Sequence, residues 1–193
     1  TRRSPFDGYT DPEKNKSVIM HDVFTTGDAY FNTGDLVRNI GFRHAQFVDR
    51  LGDTFRWKGE NVSTTEVENM LTEYEKIVEA VVYGVEIPNT NGRAGMAAIT
   101  LKPDVKLDDA DLAAMAACFK KCLPAYAVPV FLRVQQQVET TGTFKYQKNK
   151  LKEQAFDPSK TDERLLVLLP GATAYSELTA EIFANIQAYQ YRF

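Results

Sequence analysis

The 193-residue sequence predicts an α+β fold: a small mixed β-sheet flanked by helices, preceded by a β-hairpin. Three observations carry that expectation. Apolar residues recur at helical spacing twice, as Val67, Met70, Leu71, Tyr74 and as Leu112, Met115, Ala116, Phe119, Leu123; each is a stripe able to seat a helix on a core. Strand-length apolar runs lie between and after them at 79–87, 96–101 and 129–134. Turn residues separate these runs, most clearly Pro88-Asn89-Thr90-Asn91-Gly92. The order hairpin, α, β, β, α, β, α suits helices covering one sheet.

Residues 1–30 are polar and broken by Asp7-Gly8, Asp11-Pro12 and Gly27-Asp28. So loose a beginning is expected of a fragment. Residues 30–35 make an aromatic approach to a Thr-Gly-Asp turn. Residues 36–38 and 42–48 then read as two strands joined across Asn39-Ile40-Gly41. A hairpin alone cannot bury a core, so 1–49 is expected to lean on a larger neighbour. Leu51-Gly52-Asp53 breaks the pattern with the residue that best absorbs a backbone change; one unit ends at Arg50 and another starts after Gly52.

In the second unit, 54–57 reads as a strand and Lys58-Gly59-Glu60-Asn61 as a turn. Ser63-Thr64-Thr65-Glu66 reads as a capping box opening the first helix. Asp108 caps the second helix and Pro124 ends it. A short basic helix follows at 148–155. In the remainder, 164–169 can add a strand, 171–173 a turn and 176–189 a helix.

Composition narrows the function. A hydrophobic share of 44% with 25% charged residues is ordinary for a globular chain. A formal net charge of −3 argues against a nucleic-acid surface, which carries a basic excess. No apolar run approaches bilayer length, and the first ten residues lack the apolar core of a signal peptide. Cys118 and Cys122, the only cysteines, share a helix face. Half a metal site is one reading; with no cysteine or histidine cluster to complete it, two reduced thiols is the plainer one.

Several polar residues admit two accounts. Asp35, presented on a glycine turn, can accept both hydroxyls of a ribose or simply belong to an Asx turn. Arg50 can pair with Asp49 or Asp53 at little energetic consequence. Trp57 can flank a ligand or cap the core of the second unit. Lys145 is either a functional cation or one of the solvated run Lys145, Lys148, Lys150, Lys152.

The stretch 47–68, FVDRLGDTFRWKGENVSTTEVE, together with YFNTGD at 30–35 and TTGTFK at 140–145, resembles the adenylate-forming superfamily of acyl-CoA synthetases, luciferases and peptide-synthetase adenylation domains. TGTFK and DTFRWKGENVSTTEVE are most similar to its fatty acid transport protein and very-long-chain acyl-CoA synthetase branch. Three motifs in order span more than half the chain.

The resemblance implies that 1–49 is the tail of a large AMP-binding domain, 50–52 a hinge, and 53–193 a mobile small domain with a branch-specific tail. It implies two steps: a fatty acid and ATP give acyl-AMP and pyrophosphate, then CoA gives acyl-CoA and AMP. Asp35 and Arg50 would bind the ATP ribose, and Gly52 would be the pivot. Trp57, Lys58 and Gly59 would form the CoA face. Lys145 would be the catalytic residue, because a carboxylate attacking a phosphate needs a cation between two anions. Most members place glycine directly before that lysine; here Phe144 stands there, with glycine at 142, a variation the transport-protein branch shares. Lys148 and Lys150 could meet CoA phosphates, although a solvated helix face is the simpler account.

The implied ligands are ATP, Mg2+ and CoA in the full-length enzyme, with none bound to this chain, which by itself is expected to be inactive. The implied partner is the large N-terminal domain in cis, with no nucleic acid. The implied location is the cytoplasm, with peripheral membrane association also allowed. Two other readings stand beside this one. The acyl group could pass to a carrier protein, or the chain could be a non-catalytic binding or membrane-docking module built on its amphipathic helices and the basic run at 145–152. No glycine-rich phosphate loop occurs.

Overall fold

The computed structural model describes residues 18–50, 54–135 and 148–193. The chain divides into two units, Thr1–Gly52 and Asp53–Phe193.

In the first unit, β1 (Ile19–His21) and β2 (Ala29–Phe31) pair antiparallel. Two aspartates order the loop between them. Asp28 accepts the backbone N–H groups of Val23, Phe24 and Thr25 at 2.7–3.0 Å, and Asp22 accepts that of Gly27 at 2.6 Å. Desolvation alone would raise the Asp28 pKa, but the hydrogen bonds outweigh it and hold the carboxyl below its usual value. A second hairpin joins β3 (Asp35–Gly41) to β4 (His44–Arg50). Its turn falls at Phe42-Arg43, two residues beyond the expected Asn39-Ile40-Gly41. Phe42 and Arg43 both take positive φ, 49° and 61°, the backbone of a type I′ hairpin turn. Neither residue advertises that conformation, so the glycine drew the prediction to the wrong place.

The second unit is built on a five-stranded mixed sheet. Its strands are β7 (Ile77–Val85), β8 (Ala94–Leu101), β9 (Phe131–Gln135), β10 (Arg164–Val167) and β11 (Ser176–Glu177), in spatial order β11-β10-β9-β8-β7. Only β8–β9 is parallel, and its crossover is α2 (Asp109–Cys122). Residues 94–99 of β8 are all buried, so both faces of this interior strand are covered. The remaining helices are α1 (Thr64–Thr72), α3 (Lys148–Gln154) and α4 (Ala180–Gln187).

The helix termini follow the sequence. Ser63 accepts the Glu66 N–H at 3.3 Å to start α1. Asp108 and Asp111 form a reciprocal capping box at α2, and the whole expected α2 stripe, Leu112 to Leu123, is buried. The last helix is shorter than expected. Thr179 caps it, accepting the Ile182 N–H at 3.2 Å, and Ser176-Glu177 instead forms the edge strand β11.

Residues 156–193 are part of the core. Leu165, Leu166, Val167, Tyr175, Leu178 and Ile186 are buried in it, and Phe156 stacks on Phe131 at 4.2 Å between ring centroids. The buried Tyr175 hydroxyl donates to the Pro129 carbonyl at 2.7 Å, and burial pushes its pKa far up. Arg133, only 3% exposed, is held by Glu163 and by the Thr161 hydroxyl. A buried guanidinium needs such partners.

Candidate functional site

The β3–β4 register places Asp35 opposite Arg50. The two are 15 positions apart in sequence, and only the hairpin pairing brings them together. Asn32 Oδ1 accepts the Gly34 N–H at 2.9 Å and Thr33 Oγ1 the Asp35 N–H at 3.2 Å, while Gly34 takes φ +73°. Asn32 and Thr33 thus close the turn, and Asp35 is the first residue of β3, half-buried.

In the second unit, β5 (Phe55–Trp57) and β6 (Glu60–Val62) form a hairpin whose turn is Lys58-Gly59, with φ values of 51° and 88°. Three contacts bolt it to the sheet. Phe55 lies over Gly84 and Gly95, a cross-strand pair of β7 and β8; a Cβ at Gly84 would meet Phe55 Cβ at 2.7 Å. Trp57 forms a β-bridge with Gly92. Arg93 donates its N–H to the Arg56 carbonyl at 2.7 Å. Gly92 takes φ +96°, and a Cβ there would lie 2.3 Å from that same carbonyl, so only glycine fits. The sequence marked Gly92 as a turn; its role as the seat of the hairpin depends on a contact across 35 residues.

Trp57 is therefore a core residue, 2% exposed, while Lys58 and Gly59 stand in solvent at the tip. The Lys58 ammonium sits 5.8 Å from the Trp57 ring centroid, within cation–π range. Nothing lies within 4 Å of a Cβ built on Gly59, so this turn can approach a ligand closely.

Two cavities flank that tip. One, of 520 Å³, is lined by Trp57, Lys58, Lys120, the strand entry Val128-Pro129-Val130, 168–172, and Arg192-Phe193. The other, of 370 Å³, shares Trp57, Lys58, Arg192 and Phe193 and adds 87–91, Tyr189 and Tyr191. The C-terminal residues 189–193, which carried no signal in the sequence, thus border the same face as the hairpin tip. A third cavity, of 680 Å³, lies beside Glu86, Arg93, Asp157 and Lys160. Its charges are paired internally, Arg93–Glu86 at 3.1 Å and Lys160–Asp157 at 3.7 Å.

Gly52 and the TGTFK stretch with Lys145 lie outside the described residues. The residues on either side of 136–147 are well held. Gln135 donates to Glu163 at 3.2 Å. Lys148 pairs with Glu68 at 3.1 Å, and Glu68 also accepts the Val82 N–H at 2.8 Å. Lys148 is thus a tether between α3, α1 and β7, and the solvated-face account of it is corrected. Among the described residues, no group of three or more His, Cys, Asp or Glu could hold a metal ion, and Cys118 and Cys122 are free thiols. No helix among them is long and apolar enough to cross a membrane.

Residues 66–145 match the AMP-binding enzyme C-terminal domain. The chain is 47% identical over 188 residues to long-chain fatty acid transport protein 6 of Mus musculus, covering 97% of this chain and 30% of the relative. This chain thus carries an AMP-binding enzyme C-terminal domain. A medium/long-chain-fatty-acid–CoA ligase of Mycobacterium tuberculosis, FadD6, is 47% identical over 180 residues, covering 93% of this chain and 30% of that ligase. Among solved structures, the ATP-bound RpMatB-BxBclM chimera B1 superposes with a TM-score of 0.68 at 26% identity, over 79% of this chain and 29% of the chimera. The chain thus spans about 30% of the length of the adenylate-forming relatives it matches. The mixed α+β fold is theirs as well.

Proposed function

We propose that this chain is the C-terminal part of an ATP-dependent fatty acyl-CoA synthetase. Residues 1–49 close the large AMP-binding domain, 50–52 form the hinge about Gly52, and 53–193 form the mobile small domain. The observation that carries the reading is the near-complete alignment, at 47% identity, with a fatty acid–CoA ligase and a fatty acid transport protein. The register of Asp35 against Arg50 supports it, since it pairs the two residues at one end of the hairpin.

In this reading the fatty-acid carboxylate oxygen attacks the α-phosphorus of ATP, the α–β bridging bond breaks, and pyrophosphate leaves. Asp35 and Arg50 hold the ribose so that the phosphorus is presented in line. Lys145 places its ammonium between the two anions and stabilises the charge that accumulates during transfer. The CoA sulfur then attacks the acyl carbonyl and AMP leaves with the electron pair. The exposed Lys58-Gly59 tip borders the thiol's path in this step, with Trp57 stiffening it from within the core. Among the described residues, no group of three or more His, Cys, Asp or Glu is placed to hold the magnesium that accompanies ATP.

The test is product analysis with the full-length protein. Fatty acid, ATP and CoA are expected to yield acyl-CoA, AMP and pyrophosphate in equal amounts, and the 193-residue chain alone to yield none. Pyrophosphate release with thioester formed only on a carrier protein would move the acceptor from CoA to that carrier.

A further inference from the structure

Two nucleophilic groups that the proposed reaction does not use stand together on α2. Cys118 and Cys122 lie one turn apart, Cys118 half-buried against the core and Cys122 exposed. Side chains four apart on a helix share a face. Burial pushes the Cys118 thiol up, and the Cys122 thiol adds to this through its charge and as a hydrogen-bond partner, so the two sulfurs are immediate neighbours. Lys121 acts in the opposite direction and favours the thiolate.

The helix decides what can join these sulfurs. Cβ atoms at this spacing lie about 5–6 Å apart, whereas a disulfide draws its Cβ atoms to about 3.5–4.5 Å. Closing a disulfide here would require the last turn of α2 to unwind. That turn is pinned, because Met115, Ala116 and Phe119 are buried and the Leu123 N–H donates to the Phe119 carbonyl at 2.9 Å. A bridging ion reaches further, since two metal–sulfur bonds of about 2.3 Å replace one sulfur–sulfur bond of about 2.05 Å. Ligand number then selects the ion. Zinc in a closed site takes four protein ligands, and among the described residues no group of three or more His, Cys, Asp or Glu could hold it. Copper(I) is soft, prefers thiolate, and is satisfied by two such ligands.

We propose that Cys118 and Cys122 form a two-coordinate thiolate site for a soft monovalent ion, copper(I), at the C-terminal end of α2. On binding, each thiol gives its proton to solvent and each sulfur forms one bond to copper; neither sulfur nor copper changes oxidation state. The centre that results carries one net negative charge, which Lys121 offsets. The exposed Cys122 meets the incoming ion, and the half-buried Cys118 holds it against the core. The site is independent of the acyl-CoA synthetase reading, because neither cysteine belongs to the motifs on which that reading rests.

The test titrates the reduced 193-residue chain with copper(I) under anaerobic conditions, against bicinchoninate as a competing chelator. One copper(I) per chain is expected to pass from the chelator to the protein. Cys118→Ser and Cys122→Ser are each expected to weaken binding by about a hundredfold or more, beyond the loss that follows removal of an outer-shell contact. Because Cys122 is exposed, its variant is expected to melt as the parent does, which separates loss of copper from loss of fold. Adding Lys120→Cys to Cys122→Ser keeps two cysteines but sets them two apart, where side chains do not face each other, and is expected not to restore binding. Zinc is expected to bind more weakly than copper(I). No copper uptake, parental affinity in Cys122→Ser, restoration by Lys120→Cys, or tighter binding of zinc than of copper(I) overturns the proposal. So does a Cys118–Cys122 disulfide formed in the folded chain under mild oxidation, since the helix geometry forbids it.

Discussion

The two units bury their apolar residues to very different extents. In the second, Leu132, Phe131, Val82, Met96 and Phe119 are at most 1% exposed, and aromatic contacts link strands, helices and tail. In the first, the hairpins leave Phe24, Val37, Ile40, Phe42 and Phe47 between 54% and 97% exposed. The two units differ in their number of layers. A five-stranded sheet with helices can cover both faces of β8, whereas a two-stranded ribbon covers neither of its own. A hairpin so rich in exposed apolar side chains is suited to packing on a further body, consistent with a chain that spans about 30% of its relatives.

The sharpest contrast is between Glu163 and Phe42. Glu163→Ala strips the carboxylate from buried Arg133 and is expected to destabilise the second unit by about 3 kcal/mol, the usual cost of orphaning a buried charge. Phe42→Ala, at a 97% exposed turn tip, is expected to change stability by less than about 0.5 kcal/mol. Chemical denaturation of the two variants checks both; equal effects would erase the distinction between the units.

A glycine pair sharpens the account of the hairpin seat. Gly92→Ala forces a Cβ to 2.3 Å from the Arg56 carbonyl at positive φ and is expected to cost about 2–3 kcal/mol. Gly59→Ala, also at positive φ but with open space around it, is expected to cost about 1–2 kcal/mol from backbone strain alone. Thermal melts rank them, and the reverse order would remove Gly92 from its role.

Next in size is Glu68. Glu68→Ala removes the carboxylate 3.1 Å from Lys148 and leaves the Val82 N–H without its acceptor, at an expected cost of about 1–2 kcal/mol. Hydrogen exchange at Val82 is the direct readout. The smallest effect is on pH dependence. Asp111 is held below the usual carboxylate range, first by its hydrogen bond from Lys76 and then by the capping bond to Asp108. A lowered folded-state pKa stabilises above the unfolded value near 4 and loses that stabilisation as pH falls through the folded one. The melting temperature of the parent is therefore expected to fall more steeply below about pH 4 than that of Asp111→Asn.

What the sequence revealed follows the range of the interactions involved. The caps at Ser63 and Asp108, the stripe from Leu112 to Leu123 and the alternation of helices and strands depend on neighbours within a few residues, and all were readable. The turn at Phe42-Arg43, the strand β11, the Gly92 seat and the Lys148–Glu68 tether depend on partners that only folding supplies. Among the candidate residues, family likeness marked Asp35, Arg50 and the hairpin tip, whereas the closeness of the C-terminal residues to that tip depends on the fold of the second unit.

The most direct test of the central claim separates the two half-reactions in the full-length enzyme carrying Lys145→Ala. The account predicts that pyrophosphate release from fatty acid and ATP is abolished while supplied acyl-AMP is still converted to acyl-CoA. Undiminished pyrophosphate release, or equal loss of both steps, would contradict it.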